Sequence, residues 1–210
     1  MRLIGDVHGK YRQYHRLIQS CDSSIQVGDM GVGFRYHGQR AMAHGNPCAN
    51  PSHQKMVRHN ARFIRGNHDN PTVCRNHSQW IKDGTIETIN NLKFMFICGA
   101  TSIDVHHRIE SYSWWPDEEL SVPELHHIFD IWLAEKPDIV VSHECPEHVT
   151  ELMLATYKLE QKSATRQCFQ SMIEMHSPAA WYFGHYHKSF NLKFMNCEFS
   201  CLAELEYVDL

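Results

Sequence analysis

Several features that would place the chain in a particular class of protein are missing from this sequence. No apolar stretch approaches the roughly 20 residues that a membrane-spanning helix requires, and the first residues lack the layout of a secretory signal peptide. None of the eight cysteines forms a Cys-x-x-Cys pair, so buried, reduced thiols are favoured over a disulfide framework. We therefore expect a soluble protein of the cytoplasm, with no membrane partner.

An excess of positive charge is missing as well. The chain holds 20 Lys and Arg against 24 Asp and Glu, with a formal net charge of −4. Proteins that bind duplex nucleic acid without sequence preference do so through a basic face. Strong duplex binding is therefore not expected, whereas a small phosphorylated molecule held through metal ions remains compatible with this charge.

The chain also lacks internal repeats, low-complexity tracts and a domain linker, and its 210 residues suit a single domain spanning 1–210. A loop-rich insertion occupies about 31–60, where Gly, Asn, Pro and His are frequent. Long loops in compact domains are usually functional or disordered, so we expect the insertion to form a wall of the substrate pocket, with Arg35 as a substrate contact. Its histidines, together with Cys48, could instead hold a structural zinc, although their spacing matches no tight zinc module.

What the sequence does contain is a set of five short polar clusters, each directly after an apolar run. The clusters are Gly5-Asp6-Val7-His8-Gly9, Gly28-Asp29, Gly66-Asn67-His68-Asp69, His143, and Gly184-His185-Tyr186-His187. The apolar runs predict strands at 2–7, 24–27, 61–65, 138–142 and 180–183. Ligands of open α/β sheets gather where such strands end.

The remaining patterns predict the rest of the fold. Helical spacing occurs at 11–20, 54–60 and 159–176, and an amphipathic helix within 116–136 has Leu125, Ile128, Phe129 and Trp132 on one face. Alternation at 85–89 and 92–98 predicts a hairpin turning at Asn90-Asn91, and a second hairpin is predicted at 189–195 and 198–204. We therefore predict an α/β fold with two packed mixed β-sheets flanked by helices.

The residue types in the clusters are those that a pair of divalent cations needs. Cations roughly 3.5–4 Å apart repel strongly, so a shared ligand must hold them, and the carboxylate of Asp29 can bridge. Asp6 and His8 alternate along an extended segment and can share one ion. Amide and imidazole ligands are offered by Asn67, His143, His185 and His187. This mixture suits Mn, Fe, Ni, Co or Zn better than Ca.

In this order, from Asp6 to His187, the clusters resemble the blocks of the calcineurin-like metallophosphoesterases, which read D-x-H, G-D, G-N-H-[DE], H and G-H-x-H. The resemblance implies a four-layer α-β-β-α sandwich and a hydrolase with two divalent transition-metal ions, manganese foremost. It implies a first ion held by Asp6, His8, Asp29 and His187. It implies a second ion held by Asp29, Asn67, His143 and His185.

The same resemblance gives roles to the remaining residues of the third cluster. His68 would stand beside the substrate phosphate without binding metal, as a general acid or charge stabiliser, and Asp69 would hold its imidazole. Arg65 and Arg108 could each offer a planar bidentate donor to a phosphoryl group. All three arginines, Arg35 included, are therefore candidates for substrate binding.

The substrate class follows from where the chain departs from its relatives. Serine/threonine phosphatases of this superfamily extend the second block to Gly-Asp-x-x-Asp-Arg-Gly, whereas this chain reads Gly28-Asp29-Met30-Gly31-Val32-Gly33. Small phosphodiesters or nucleotides are therefore favoured, with protein phosphatase as the alternative. A non-catalytic scaffold would have lost ligands, and none is lost here. A nuclease would be expected to have a more basic surface.

A closer likeness lies in the middle of the chain. Residues 98–104 (Cys-Gly-Ala-Thr-Ser-Ile-Asp), His106-His107-Arg108, and Ser113-Trp114-Trp115-Pro116 with Glu118-Glu119 are similar to a group of small bacterial and phage-encoded metallophosphoesterases. The tryptophan pair could stack on a base or pack within the protein. Glu118-Glu119 are expected in the first turn of a helix, where the helix dipole favours negative charge.

Overall fold

The computed structural model describes residues 1–35, 50–154 and 162–210 of the chain. In these ranges the strands are β1 (Arg2–Ile4), β2 (Ser24–Gln26), β3 (Ala61–Phe63), β4 (Thr85–Ile89), β5 (Leu92–Ile97), β6 (Ile139–Ser142), β7 (Ala180–Phe183), β8 (Phe190–Phe194), β9 (Cys197–Cys201) and β10 (Tyr207–Asp209). The α-helices are α1 (Tyr11–Ile18), α2 (His53–Arg58), α3 (Pro71–Arg75), α4 (Val122–Glu135), α5 (Glu147–Met153) and α6 (Ala164–Met175). A single 3₁₀ turn of the described part covers Val105–His107.

The strands form two mixed sheets. One has the order β10-β1-β2-β3, in which β1, β2 and β3 are parallel and β10 is antiparallel to β1. The other has the order β4-β5-β6-β7-β9-β8, in which the four inner strands are parallel and both edge strands are antiparallel. The parallel strands of each sheet deliver their carboxyl ends to the same edge of that sheet.

Three apolar layers hold the sheets and helices together. The alternation along β5 shows how they are divided: Phe94 and Phe96 face the layer between the two sheets, whereas Met95 and Ile97 face the layer under α4 and α6. A third layer, which includes Ile4, packs the outer face of the smaller sheet against α1 and α2. Helices therefore cover the outer faces of two stacked sheets, which confirms the predicted fold class.

The helix α4 follows the predicted pattern closely. It begins with a capping box between Ser121 and Glu124 and ends at Lys136, whose backbone is left-handed with a φ of 45°. Its apolar stripe includes the buried Leu125, Ile128 and Trp132. The indole of Trp132 donates to the carbonyl of Met172 on α6 at 2.8 Å, so this polar atom is satisfied inside the layer.

Several predicted boundaries were wrong. The strands β1, β2 and β3 end earlier than predicted, because the chain has already entered the loops that carry the polar clusters. Glu118 and Glu119 precede α4 instead of forming its first turn, and Glu118 is only 4% exposed. The strand β10 and the short helices α3 and α5 were missed, since each is too short to show a periodic pattern.

The insertion at 31–60 is only partly described, since residues 36–49 lie outside the described ranges. His37, His44 and Cys48, on which the zinc hypothesis depends, lie among them. In the described parts, Val32 and Met56 are buried in the layer beneath α1. The ends of the insertion therefore contribute to the core, and α2 lies within it.

The cysteines and the helix lengths also bear on the sequence predictions. Within the described ranges every cysteine is a free thiol, and five of them are buried: Cys74, Cys98, Cys145, Cys197 and Cys201. This agrees with reduced thiols. None of the helices in the described residues combines the length and apolar character that crossing a bilayer demands.

Candidate metal centre

The loops after β1, β2, β3, β6 and β7 bring all five polar clusters together at one edge of the two sheets. In the first group of side chains, donor atoms of Asp6, His8, Asp29 and His187 all lie within 4.8 Å of one another. The Nε2 atoms of His8 and His187 are 2.8 Å apart, and the Nε2 atom of His187 is 3.3 Å from Oδ2 of Asp6. Two nitrogens bound at about 2.1 Å to one ion at right angles would be about 3 Å apart, so this group fits a cation.

A second group forms around the amide oxygen of Asn67. It lies 3.2 Å from Nε2 of His143 and 3.0 Å from Nδ1 of His185. The other ring nitrogen of His143, Nδ1, lies 2.9 Å from the carbonyl oxygen of Val27 and donates to it. In the neutral ring this bond keeps the proton on Nδ1 and directs the lone pair of Nε2 at the group, as is usual for a metal-binding histidine.

Asp29 lies between the two groups. Its Oδ1 atom is 3.2 Å from Nε2 of His143, in the second group, and its Oδ2 atom is 3.7 Å from Nε2 of His8, in the first. The backbone N–H of His68 donates to Oδ1 at 2.7 Å, which fixes the orientation of the carboxylate. One carboxylate therefore presents one oxygen to each group.

Burial gives the site a strong attraction for positive charge. Asp6 and Asp29 are 0% and 1% exposed, and two adjacent buried carboxylates are costly without compensating cations. Burial lowers the pKa of His143, but the charges of Asp29 and Asp6 outweigh it and raise that pKa to about 10. For a carboxyl group burial acts in the opposite direction and raises the pKa of Asp29. The neighbouring histidines outweigh this effect and hold that pKa well below its usual value. The donor set and the buried charge both fit divalent cations.

The backbone at the site is strained. Four of the seven predicted ligands have a positive φ: 48° at His8, 58° at Asp29, 70° at His185 and 53° at His187. Residues other than glycine rarely adopt a positive φ, and such backbone strain is concentrated at functional sites. A Cβ atom at Gly66 would lie 2.2 Å from Oδ1 of Asp29, so glycine is required for the loops to approach this closely.

His68 and Arg108 lie side by side at the mouth of the site. The Nη2 atom of Arg108 is 2.7 Å from Nε2 of His68, and the ring of His68 stacks on Phe34 with centroids 4.6 Å apart. Asp104 accepts from Nε of Arg108 at 2.7 Å and holds the guanidinium in place. Of the three candidate arginines, Arg108 is the one that the structure brings to the site.

The predicted role of Asp69 was wrong. Its carboxylate accepts four backbone N–H groups, from Met30, Gly31, Val32 and Gly66, at 2.7–3.1 Å, and does not hold the imidazole of His68. Backbone donors from two loops occupy both oxygens, which are completely buried. Asp69 therefore joins the loop of the second cluster to that of the third.

The structure gives Arg65 and Arg35 contacts within the protein. Arg65 is 3% exposed, and its Nη1 atom donates to the carbonyls of Asp117 at 3.0 Å and Glu118 at 2.7 Å, which ties down the segment before α4. The guanidinium of Arg35 lies 4.7 Å from the ring centroid of Tyr112. Neither side chain is among the described residues that line the cleft, so the substrate-binding roles of Arg65 and Arg35 stay predictions.

A buried carboxylate beside the predicted ligands, Glu144, was not among the residues singled out from the sequence. Glu144 accepts from the hydroxyl of Tyr186 and, at 2.8 Å, from the N–H of Cys145. Its Oε2 atom is 3.4 Å from Nη1 of Arg166 and 3.8 Å from Nε2 of His185. A charged residue directly after the apolar run that delivers His143 was the available signal. Ser102 and Glu118, which contact Asn67 in series, were missed as well.

Four of the seven predicted ligands, Asp29, Asn67, His185 and His187, line a cleft of about 370 Å³. Among the described residues its walls are formed by Asp29, Asn67, His68, Ile103, Asp104, Arg108, Leu154, His185, Tyr186 and His187. This volume lies near the lower end of the range for small-molecule sites, which is about 300–1,000 Å³.

Comparison with solved structures supports the same architecture. The protein TT1561 of Thermus thermophilus superposes with a TM-score of 0.53 at 11% identity, covering 98% of this chain and 90% of the other. A Staphylococcus aureus protein named as a provisional 5′-nucleotidase, in complex with α-ketoglutarate, gives a TM-score of 0.52 at 14% identity and covers 98% of this chain and 48% of the other. At such identities the likeness concerns the fold alone.

The family is given by the sequence comparison. No curated protein matches the chain closely enough to count as a relative. A family model described as calcineurin-like phosphoesterase, by contrast, matches residues 2–189, which include all five polar clusters. The chain therefore belongs to the calcineurin-like phosphoesterases, and it is a metal-dependent hydrolase of phosphoester bonds.

Proposed function

We propose that the protein hydrolyses small phosphodiesters or nucleotides with a dinuclear metal centre, in which Asp29 bridges two transition-metal ions. The position of Asp29 carries the proposal, because each of its oxygens faces a different group of ligands. Asp6, His8 and His187 would complete one ion's site. Asn67, His143 and His185 would complete the other.

Divalent ions at such a site supply a water of lowered pKa as the nucleophile and neutralise the charge of the phosphoryl oxygens. The protein's own contribution begins with orientation. Asp6 accepts the backbone N–H of His185 at 3.2 Å and 3.1 Å through its two oxygens, so the first and fifth clusters are joined. Ligands that are held in this way before substrate arrives lose little freedom when it binds.

Arg108 and His68 are proposed to act on the substrate itself. The guanidinium of Arg108 faces the cleft beside the imidazole of His68 and offers charged donors for the phosphoryl oxygens. His68 is placed to stand beside the leaving oxygen, where it can stabilise charge or supply a proton. Phe34, stacked on this imidazole, fixes the plane of its ring.

The size and surroundings of the cleft favour a small substrate. A volume of about 370 Å³ accommodates a phosphoester of nucleotide size. Ile103 and Leu154 supply apolar contact area on its walls, which suits a nucleoside or another organic group attached to the phosphate. The net charge of −4 argues against long nucleic acid.

The test is a matrix of metals and substrates. Purified protein, loaded in turn with Mn²⁺, Ni²⁺, Zn²⁺ and Mg²⁺, is assayed with bis-p-nitrophenyl phosphate, p-nitrophenyl phosphate and a panel of nucleotides. We expect two ions per chain and turnover of the diester or of nucleotides. One tightly bound ion per chain in the active protein would contradict the dinuclear centre.

A pair of variants tests the bridge itself. Asp29→Ala should lose both ions, because the bridge is what allows two cations to stand close together. His8→Asn should weaken one ion and affect the other less. Elemental analysis that finds two ions retained in Asp29→Ala would contradict the bridging role.

A further inference from the structure

The amide of the ligand Asn67 is the first member of a buried chain of hydrogen bonds. Its Nδ2 atom donates to Oγ of Ser102 at 3.0 Å, and that hydroxyl donates to Oε2 of Glu118 at 2.6 Å. The backbone N–H of Ser102 donates to Oε1 of the same carboxylate, also at 2.6 Å. The three residues are 2%, 0% and 4% exposed, so this chain is shielded from bulk water.

Chemistry fixes the direction of this chain. Above its pKa of about 7 Glu118 is a carboxylate and can only accept, so the one proton of the Ser102 hydroxyl is then directed to Glu118. The hydroxyl oxygen must then accept from its other neighbour, which is the amide of Asn67. The NH₂ group of Asn67 therefore faces Ser102, and its carbonyl oxygen faces the ring nitrogens of His143 and His185.

The far end of the chain is itself held in place. Arg65 donates to the carbonyls of Asp117 and Glu118 at 3.0 Å and 2.7 Å. The carbonyl of Arg65 accepts the N–H of Gly99 at 2.9 Å, which places the loop that carries Ser102. Arg65 thus connects both the segment that carries Glu118 and the loop that carries Ser102 to the end of β3.

We infer that Ser102 and Glu118 are positioning residues that keep the amide oxygen of Asn67, and not its NH₂ group, directed at a metal ion. The inference rests on the proposed dinuclear function. An asparagine whose amide is reversed would present N–H donors to a cation and could not bind it. Both residues belong to the central motifs that the ligand set leaves without a role.

The variant Glu118→Gln is a direct test of polarity, since it changes the size of the side chain very little. Its Oε1 atom can still accept the N–H of Ser102, but its Nε2 atom then donates to Oγ of Ser102. The hydroxyl proton turns toward Asn67, which must accept with its carbonyl oxygen. The two side-chain hydrogen bonds, between Glu118 and Ser102 and between Ser102 and Asn67, therefore both reverse their direction. Ser102→Ala, by contrast, removes the hydroxyl that accepts from Asn67, so the orientation of the amide is no longer fixed.

A neighbouring carboxylate provides a matched control. Glu119 accepts the N–H of Thr165 at 2.9 Å and the hydroxyl of Ser163 at the start of α6, and neither bond involves Ser102. Glu119→Gln therefore removes the same charge from the adjacent position without changing the hydrogen bonds of Asn67.

The experiment is a Mn²⁺ titration of the wild type and the three variants at pH 8, where Glu118 is a carboxylate, followed by ion counting. Urea unfolding of the metal-free proteins at the same pH is the second readout. Glu118→Gln should weaken one of the two ions by about 10- to 100-fold, as other partners of metal ligands do. Ser102→Ala should also weaken this ion, but by less than Glu118→Gln does, because the amide of Asn67 is then left free instead of being reversed. Glu119→Gln should bind both ions like the wild type, and metal-free Glu118→Gln should be at least as stable as the wild type.

The outcomes separate the two proposals. If wild-type protein binds fewer than two ions, the dinuclear function fails, and the inference with it. If the wild type binds two ions and Glu118→Gln binds both with unchanged affinity, the positioning role alone is overturned. The positioning role is also overturned if Glu119→Gln weakens binding as much as Glu118→Gln. If Glu118→Gln does not fold, wild-type affinity for both ions in Ser102→Ala overturns the role.

Discussion

The Nη2 atom of Arg108 lies 2.7 Å from the Nε2 atom of His68. A guanidinium can only donate, so Nε2 of His68 accepts, and the neutral ring carries its proton on Nδ1. Asp104 and the carbonyl of Ser113 accept from the other nitrogens of Arg108, at 2.7 Å and 3.3 Å, which leaves the guanidinium aimed at the cleft. A substrate phosphoryl group would meet a charged donor that is already in position.

The first prediction concerns this donor. Arg108→Ala should lower kcat/KM by about 10- to 100-fold, because charged hydrogen bonds to the phosphoryl oxygens would be lost. Arg108→Lys should recover part of the loss, since it keeps the charge but not the planar fork. Steady-state kinetics on a metal-loaded protein with a small diester measures both variants.

Arg35→Ala is the matched control for this measurement. Arg35 stacks on Tyr112 and does not line the cleft, so its removal should change kcat/KM by no more than about 2-fold. Equal losses in Arg35→Ala and Arg108→Ala would mean that general electrostatics, and not a contact in the cleft, is responsible.

A second prediction separates stability from substrate binding at Arg65. Arg65→Ala removes two buried, charged hydrogen bonds to carbonyls and should lower the free energy of unfolding by about 3 kcal/mol. The KM for a small diester should stay within about 2-fold, because the guanidinium does not face the cleft. Urea unfolding and steady-state kinetics on the same preparation measure the two effects. A raised KM with unchanged stability would instead support the contact between Arg65 and the substrate phosphate that the sequence indicated.

The grouping of the predicted metal ligands could be anticipated from the sequence, because their chemistry restricts residue type and their position follows strand ends. The apolar runs before Asp6, Asp29 and Asn67 indicated three strands. The structure shows that these strands are parallel, and parallel strands deliver their carboxyl ends to one edge. The predicted ligands could therefore be grouped without any knowledge of distances. The sequence could not show that Asp29 faces both groups, since that depends on the packing of one sheet on the other.

The side chains that support the ligands were not predictable in the same way. Asp69 adjoins His68 in the chain, yet it bonds to a different loop, and no periodicity sets the direction of a side chain in a loop. Arg65 contacts carbonyls 52 and 53 positions further along the chain. Ser102 and Glu118 meet across an irregular segment, where sequence spacing carries no information about contact.

A third prediction uses the burial of Glu118. Burial raises the pKa of its carboxyl group to about 7, although hydrogen bonds from Ser102 oppose the shift. A carboxyl group whose pKa is raised on folding binds more protons when folded than when unfolded between its two pKa values. The contribution of Glu118 to the stability of the metal-free protein should therefore fall as pH rises from about 4.5 through 7 and then level off.

The variant Glu118→Gln isolates this contribution, because it lacks the titrating group and keeps all others. Urea unfolding of both proteins in a chelator, from pH 5 to 8, should show the difference in unfolding free energy shifting by about 2–3 kcal/mol in favour of Glu118→Gln. A difference that does not change with pH would show that the Glu118 carboxyl group titrates alike in the folded and unfolded states.

The last prediction concerns the role of His68. His68→Ala should keep both metal ions, because the imidazole is not among the proposed ligands, and should slow turnover by about 10²–10⁴-fold if the imidazole is a general acid. In the structure Nε2 accepts from Arg108, so a proton must reach that atom, or the guanidinium must turn to the phosphoryl group, before Nε2 can donate.

The dependence of the loss on the leaving group distinguishes a general acid from a positioning residue. A general acid matters little when p-nitrophenolate departs and greatly when a poor leaving group such as an alkoxide departs. Equal losses on both substrates would assign His68 to holding Arg108 and the phosphate in place, and the double variant His68→Ala/Arg108→Ala would then lose little more than either single variant.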